Sequence, residues 1–449
     1  MQSTPIRLTD EQMHDFIRQG FVSIKTDFPP DFHAYIRRQL DTHLAEKNPG
    51  NNLLPVVPEI QEIFNHPAVD GALSSVLGDE YYLHPHRFCH VNTPGNEGQQ
   101  LHKDSWSKLH HRTRWGMAFY YPQDTTEDMG PTGVVPASQY YNTGPGNAPE
   151  TPVVGEAGTV AIVHYDLWHR AMPNSSDKTR YMVKFLFTRL EEPQEPSWES
   201  SDTSWSEQGV CQSVWNWYCG TPDAPSPPPP NAYDLEQLRH GLEGAKESES
   251  FQAAYALGAM GEEGLAVLLQ ALKANDDTVR RNAGYGLTAA GKPAVAPLTD
   301  IVADANQSDE TRVSALDVLG DIGKPAASAL PALVASLKEA STGTRQAAAT
   351  ALGTLNGAAR PAVPAMIDAL RDEDEWVRRN VALSFLRLGK DAEEATPALI
   401  GALKDENRYV RAKAAKTLER IATPESLKAL MQFYETSMWC PITANGSAF

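Results

Sequence analysis

The chain has 449 residues, of which 41% are hydrophobic, and a formal net charge of −18. Residues 1–230 carry −12 and residues 231–449 carry −6, so both halves are acidic, which argues against nucleic acid or an anionic membrane as a partner. No apolar run reaches the roughly 18–20 residues that span a bilayer. Met1 to Asp10 has neither a basic nor an apolar leader region, so no secretory signal is expected. Cys89, Cys211, Cys219 and Cys440 have no zinc-like or disulfide spacing, and a reducing, cytoplasmic location is expected.

Residues 8–48 read mostly as helix. Leu8-Thr9-Asp10-Glu11 supplies a cap and early acids, Phe16 and Ile17 an apolar face, and Gly20 a stop. A short strand, Gly20 to Ile24, follows, and Pro29-Pro30 precedes a second helix from Asp31 to Lys47. From Tyr81 the apolar period becomes two, with strands expected at 81–92, 114–121, 134–137, 159–168 and 180–189, separated by turn clusters such as Thr93-Pro94-Gly95-Asn96. Strands in this number, joined by turn-rich connections, predict a double-sheet sandwich or jelly roll. Residues 191–221 are acidic and Trp-rich. They are expected to form a loop that buries its indoles on the β-domain, with a substrate lid as the alternative. Pro227-Pro228-Pro229-Pro230 is a stiff linker.

Beyond Tyr233 the composition turns rich in Ala and Leu and becomes periodic. Helical segments begin at Val279, Thr311, Thr344, Val377 and Val410, each with an arginine in second place (Arg280, Arg312, Arg345, Arg378, Arg411). This period, with a second helix in each unit, predicts an all-α solenoid, because one helix pair cannot bury its apolar face alone. The arginines are expected to pair with acids of the neighbouring repeat. Residues 250–434 resemble HEAT-like repeats of the short, alanine-rich kind. The domains expected are 1–221, a linker at 222–233, repeats at 234–435 and a tail at 436–449.

The chemistry is carried by Leu101-His102-Lys103-Asp104-Ser105-Trp106. In a strand, His102 and Asp104 share a face, and Lys103 points away from it. His169 ends the stretch Gly158 to Trp168 and arrives from a distant part of the chain. Two histidines and one carboxylate leave three coordination positions open, which suits non-haem Fe(II). Arg180, on the strand returning through Pro173-Asn174, could hold a dicarboxylate through a bidentate pair. A second His-x-Asp, His164-Tyr165-Asp166, lies too close to His169 to add ligands and reads as core or pocket edge.

With these motifs, residues 8–190 resemble the phytanoyl-CoA dioxygenase family of Fe(II)/2-oxoglutarate oxygenases. The features that carry the resemblance are the entry Leu8 to Val22, His102-Lys103-Asp104, Gly130-Pro131-Thr132-Gly133 to Ser138, and His169 to Asn174 with Arg180. The resemblance implies an N-terminal double-stranded β-helix (jelly roll), Fe(II) on His102, Asp104 and His169, 2-oxoglutarate held by Arg180, and O2 as cosubstrate. The chain departs from the family at Gln139, where a histidine is usual, and at Ala171, where some members carry serine. Asn92 and Gln99 are expected to touch the cosubstrate. His90, Trp106, Trp115 and Tyr120 are candidate substrate contacts, with Ser105 and Trp106 at the rim. Arg114 is expected to pair at the surface.

The expected activity is oxidation, above all hydroxylation, of a C–H bond in a small organic substrate. The repeats would then be a docking, self-association or assembly module. The alternatives are a peptide or protein hydroxylase whose repeats recruit the target, and an interaction scaffold with a vestigial oxygenase domain.

Overall fold

A computed structural model describes residues 4–105, 111–207, 209–222, 234–244 and 246–436. The chain divides into two compact units, one ending at Trp205 and one beginning at Ser206. Most of the proline linker, Trp106 and the tail from residue 437 lie outside the described residues.

The first unit opens with helix α1 (Asp10–Gln19), strand β1 (Phe21–Lys25) and helix α2 (Pro30–Glu46). A capping box starts α1: Thr9 accepts from the Gln12 amide, and the Gln12 side chain accepts from the Thr9 amide. Gly20 ends the helix with φ +85°, where a Cβ would meet the Gln139 and Leu167 side chains at under 3 Å. Three more helices, α3 (Leu53–Val56), α4 (Ile60–Asn65) and α5 (Pro67–Leu77), precede the sheets.

The strands are β2 (Tyr81–Asn92), β3 (Trp115–Tyr121), β4 (Thr132–Val134), β5 (Thr151–Val153), β6 (Thr159–His164), β7 (His169–Ala171) and β8 (Arg180–Arg189). They form a five-stranded antiparallel sheet, ordered β1-β6-β3-β8-β2, and a three-stranded one, ordered β5-β4-β7. One apolar cluster joins the two inner faces. Met117, Phe119, Tyr121, Ala161, Val163, Met182 and Leu186 come from the larger sheet, and Val134 and Val153 from the smaller. This two-layer sandwich is the architecture expected for the N-terminal domain.

Three details of the strand reading need correction. The expected strand 159–168 breaks after His164, where the Leu167 amide closes a turn on the His164 carbonyl, and His169 begins a separate strand. β7 and β8 are therefore not a hairpin: β7 pairs with β4, and β8 pairs with β2 and β3. The strand expected at 134–137 lies instead at 132–134, because Ala137 takes φ +64° and turns the chain.

The Trp-rich stretch is not all loop. Its first part is tied to α1: the Asp10 carboxylate accepts from the Trp198 indole and from the Ser201 and Asp202 amides, and Arg18 lies over the Trp205 ring. Burial would raise the Asp10 carboxyl, but these hydrogen bonds outweigh it and hold the group well below the usual range. Residues Val210–Tyr218 form a helix of the second unit, with Trp215 and Trp217 buried.

In the second unit, helix pairs repeat from Glu247 to Glu435. The first helices of successive pairs start at capping residues one period apart. Asp276, Ser308, Ser341, Asp374 and Asn407 each accept from amides in the first turn. The repeat arginines do pair forward in three cases: Arg312 with Glu339, Arg345 with Asp372, and Arg378 with Asp405 and Glu406. They also have a second role that the sequence did not announce. Arg280, Arg345, Arg378 and Arg411 each donate to the backbone carbonyls five and six residues earlier, in the turn that follows the preceding helix. A fixed donor there satisfies carbonyls of the turn that joins the two helices and ties that turn to the next helix. No described helix is long and apolar enough to cross a membrane.

Candidate active site

Antiparallel pairing brings the distant ligand candidates together. His102 and His169 exchange both backbone hydrogen bonds, at 3.0 Å each. The segment around His102 is thus a single bridge onto β7, not the strand its alternation predicts. The alternation still works, since one ligand atom each from His102, Asp104 and His169 lies within 4.8 Å of the others. Their imidazole centroids are 4.7 Å apart, and His169 Nε2 is 3.4 Å from Asp104 Oδ2.

The tautomers are set by the backbone. His102 Nδ1 lies 2.9 Å from the Gln100 carbonyl and His169 Nδ1 2.9 Å from that of Leu167. A carbonyl only accepts, so each Nδ1 carries the proton and each Nε2 offers a lone pair. A metal-binding histidine needs this arrangement. Burial would raise the Asp104 carboxyl, but the adjacent His169 ring and the Lys184 ammonium outweigh it and hold the group far below the usual carboxylate range. Lys103 points away as expected: its Nζ donates to the Tyr141 carbonyl and lies over the Trp168 ring.

Arg180 begins β8 and is 1% exposed. Its Nε and Nη2 both donate to the Gly130 carbonyl, at 2.9 and 2.6 Å. Nη1 has no acceptor among the described residues, and no described carboxylate pairs with the guanidinium. Burial lowers its pKa. A buried cation with three N–H groups unused and no counter-charge among the described residues calls for an anionic ligand. Gly130 makes the approach possible. Its φ is +65°, and a Cβ there would lie 2.3 Å from the Asn92 amide nitrogen and 2.6 Å from the Met172 carbonyl oxygen.

The remaining candidates divide by strand face. Asn92 pairs with Arg180 across β2 and β8, and its Nδ2 donates to the Gly130 and Met172 carbonyls. It therefore braces the loop that receives Arg180, with its buried Oδ1 left without a partner among the described residues. Gln99, expected at the cosubstrate, is exposed; its backbone and side chain join Ala171 at the edge of β7. Tyr120, expected as a substrate wall, lies on the opposite face and bonds His33 of α2 at 2.8 Å. Period-two alternation excludes it from the interior and admits its neighbours: Phe119 lies 5.6 Å from the His169 ring, and the Tyr121 hydroxyl donates to Thr132.

Trp115 is half-buried on the inner face, against Tyr165 and His84. His90 pairs with Met182, and its buried Nε2 has no partner among the described residues. Burial pushes its pKa down to about 3, so the ring is neutral. Trp106 lies outside the described residues. Arg114 pairs with Glu192 through two hydrogen bonds of 2.7 and 3.0 Å, with both side chains buried rather than at the surface.

Lys184 is the site residue that sequence reasoning missed. It is 7% exposed, and its Nζ donates to Asp104 Oδ2 at 2.8 Å. The signal was available: Lys184 follows Arg180 by four on one strand and so shares its face.

His164 is not a fourth ligand. Its Nδ1 accepts from the Asp166 amide, and burial pushes its pKa down to about 3. Burial likewise pushes His33 down to about 4. Each group favours the neutral form in the folded state, so below the ordinary histidine value of 6.5 the unfolded chain binds more protons. Stability contributed by the two is complete above pH 6.5 and is lost as the pH falls toward 4 and then 3. The unfolding free energy measured from pH 7 to 4 is expected to fall, by no more than about 1.4 kcal/mol per pH unit for each histidine. His164→Leu should flatten the profile.

Residues 18–182 match the phytanoyl-CoA dioxygenase model, and residues 303–387 and 363–439 match HEAT repeats. The first unit carries the domain of an Fe(II)/2-oxoglutarate-dependent oxygenase. Within that class it is a phytanoyl-CoA dioxygenase-type domain, here fused to HEAT repeats. No curated protein matches the chain by sequence. Similar solved structures include SnoK, a non-haem α-ketoglutarate-dependent carbocyclase from nogalamycin biosynthesis, at 17% identity over 42% of this chain and 88% of that one, with TM-score 0.35. HygX from Streptomyces hygroscopicus, with nickel and 2-oxoglutarate bound, is 17% identical over 40% of this chain and 87% of that one, with TM-score 0.35.

Proposed function

We propose that the protein oxidises a C–H bond of a small organic substrate, with His102, Asp104 and His169 holding Fe(II) and Arg180 binding 2-oxoglutarate. The observation that carries this reading is the pairing of two imidazoles, whose Nδ1 atoms face backbone carbonyls and whose Nε2 atoms lie beside a carboxylate, with a buried guanidinium that has no counter-anion among the described residues. The donor set fits Fe(II), and the isolated guanidinium fits a carboxylate of the cosubstrate. Iron bound there with 2-oxoglutarate and O2 supplies an oxidant able to take hydrogen from an unactivated C–H bond, with succinate and CO2 as by-products.

The chain's own residues do the rest. The Gln100 and Leu167 carbonyls orient the two rings. Asn92 and the Gly130 loop fix the guanidinium. Phe119, Tyr121, Met117 and Met182 keep the interior apolar and poor in water. His90 and Trp115 are the inner-face groups proposed to meet the substrate. The HEAT unit is proposed to serve docking or assembly, and its repeat-opening arginines make internal hydrogen bonds and ion pairs.

The test is anaerobic titration of the full chain with Fe(II) and 2-oxoglutarate, followed by a metabolite screen for compounds that raise succinate release. Saturable binding of both, with a visible charge-transfer band, is expected. Absence of metal binding would return the first unit to the scaffold reading.

A further inference from the structure

Lys184 sits where the oxygenase reading does not require a cation. Its Nζ is 2.8 Å from Asp104 Oδ2, and that same oxygen is the one 3.4 Å from His169 Nε2. Asp104 is its only ion-pair partner among the described residues. Nor can the side chain simply leave, because it is 7% exposed and its Cα is locked in register with Phe88 on one side and Phe119 on the other.

A carboxylate oxygen has two lone-pair directions. At Asp104 Oδ2 the ammonium occupies one of them, and His169 Nε2 is the other neighbour of that oxygen. The interior thus sets a buried cation, Lys184, directly on this carboxylate, with Arg180 four residues earlier on the same strand. A divalent ion arriving beside Asp104 meets an already compensated negative charge and a fixed positive one, in surroundings that screen poorly. 2-Oxoglutarate brings two negative charges and reverses that balance.

We infer that Lys184 is a positioning residue that acts electrostatically, as a resident counter-cation of Asp104 that weakens binding of the metal alone and makes metal loading depend on the dianionic cosubstrate. This rests on the ligand assignment proposed above. By linkage, whatever 2-oxoglutarate adds to metal affinity, the metal adds to 2-oxoglutarate affinity. The ammonium would guard the site against divalent ions that arrive without the cosubstrate.

The experiment is Co(II) titration of the full-length protein, read by its visible absorption, with and without 2-oxoglutarate. Wild type, Lys184→Met, Lys184→Gln and Lys184→Arg are compared, with Asp104→Ala as the control that removes a ligand. Lys184→Met and Lys184→Gln are expected to bind Co(II) alone roughly tenfold or more tighter than wild type. The enhancement by 2-oxoglutarate should shrink in both, and Lys184→Arg should stay near wild type. Glutamine keeps a hydrogen-bond donor without the charge, so it separates the electrostatic role from a merely structural one and remains informative if the methionine variant folds poorly. Co(II) binding by both neutral variants that is no tighter than wild type overturns the inference while leaving the site intact. If wild type binds no Co(II) even with 2-oxoglutarate present, the ligand assignment fails and this inference falls with it.

Discussion

Asp104→Ala is expected to reduce 2-oxoglutarate turnover to background and to abolish saturable Fe(II) binding. Asp104 is the only carboxylate in the described cluster and provides the one negative charge facing the two imidazoles. Two neutral nitrogens alone are a weak site for a hard-to-borderline divalent ion. The substitution has a second consequence that a surface carboxylate would not show. It leaves Lys184 buried without its partner, and breaking such a pair costs on the order of 3 kcal/mol. Metal-free Asp104→Ala should therefore unfold earlier than metal-free wild type. The double variant Asp104→Ala with Lys184→Met should recover part of that loss without recovering metal binding, a coupling that a thermodynamic cycle measures directly. Succinate release that persists in Asp104→Ala would remove the carboxylate from the mechanism.

Arg180→Met is expected to raise the KM for 2-oxoglutarate by about 100-fold, the effect of losing a charge-assisted contact in a buried site. Co(II) binding without cosubstrate should persist, because the guanidinium does not belong to the ligand cluster. The fold should also survive. The Gly130 carbonyl loses Nε and Nη2 of Arg180 but keeps the Asn92 amide at 2.9 Å. Arg180→Lys should fall between the two, since a lysine restores the charge without the planar fork that serves the Gly130 carbonyl and an incoming carboxylate at once. Separate titrations of metal and of 2-oxoglutarate distinguish this pattern from general damage. An unchanged KM would mean that the cosubstrate's distal carboxylate is held elsewhere.

Much of this site can be read from the chain. His102 and Asp104 alternate, so any extended pairing puts them on one face. The Pro-Asn turn and the alternating run after Thr179 place Arg180 on a strand. The repeats were more legible still, because a cap, an apolar helix and an arginine recur with a constant period, and local chemistry alone specifies each unit. What the chain does not write locally is which strands pair. The register that sets His102 against His169, and the separation of β7 and β8 into different sheets, are non-local choices made by the common core. Tyr120 shows how much depends on them: the residue looks like a pocket aromatic until its parity relative to Phe119 and Tyr121 is known.

The amino-acid sequence by itself determined the helical repeats, the ligand types and the presence of a strand that opens on an arginine, since periodicity, capping and donor chemistry act over a few residues. Only the tertiary structure decided that the Nδ1 atoms of both histidines face backbone carbonyls, that Arg180 meets no counter-anion among the described residues and that Lys184 bonds an oxygen of the candidate ligand Asp104. Each of these depends on what a side chain meets across the sandwich. Burial, hydrogen-bond partner and charge balance are properties of the packed interior, and no stretch of chain carries them alone.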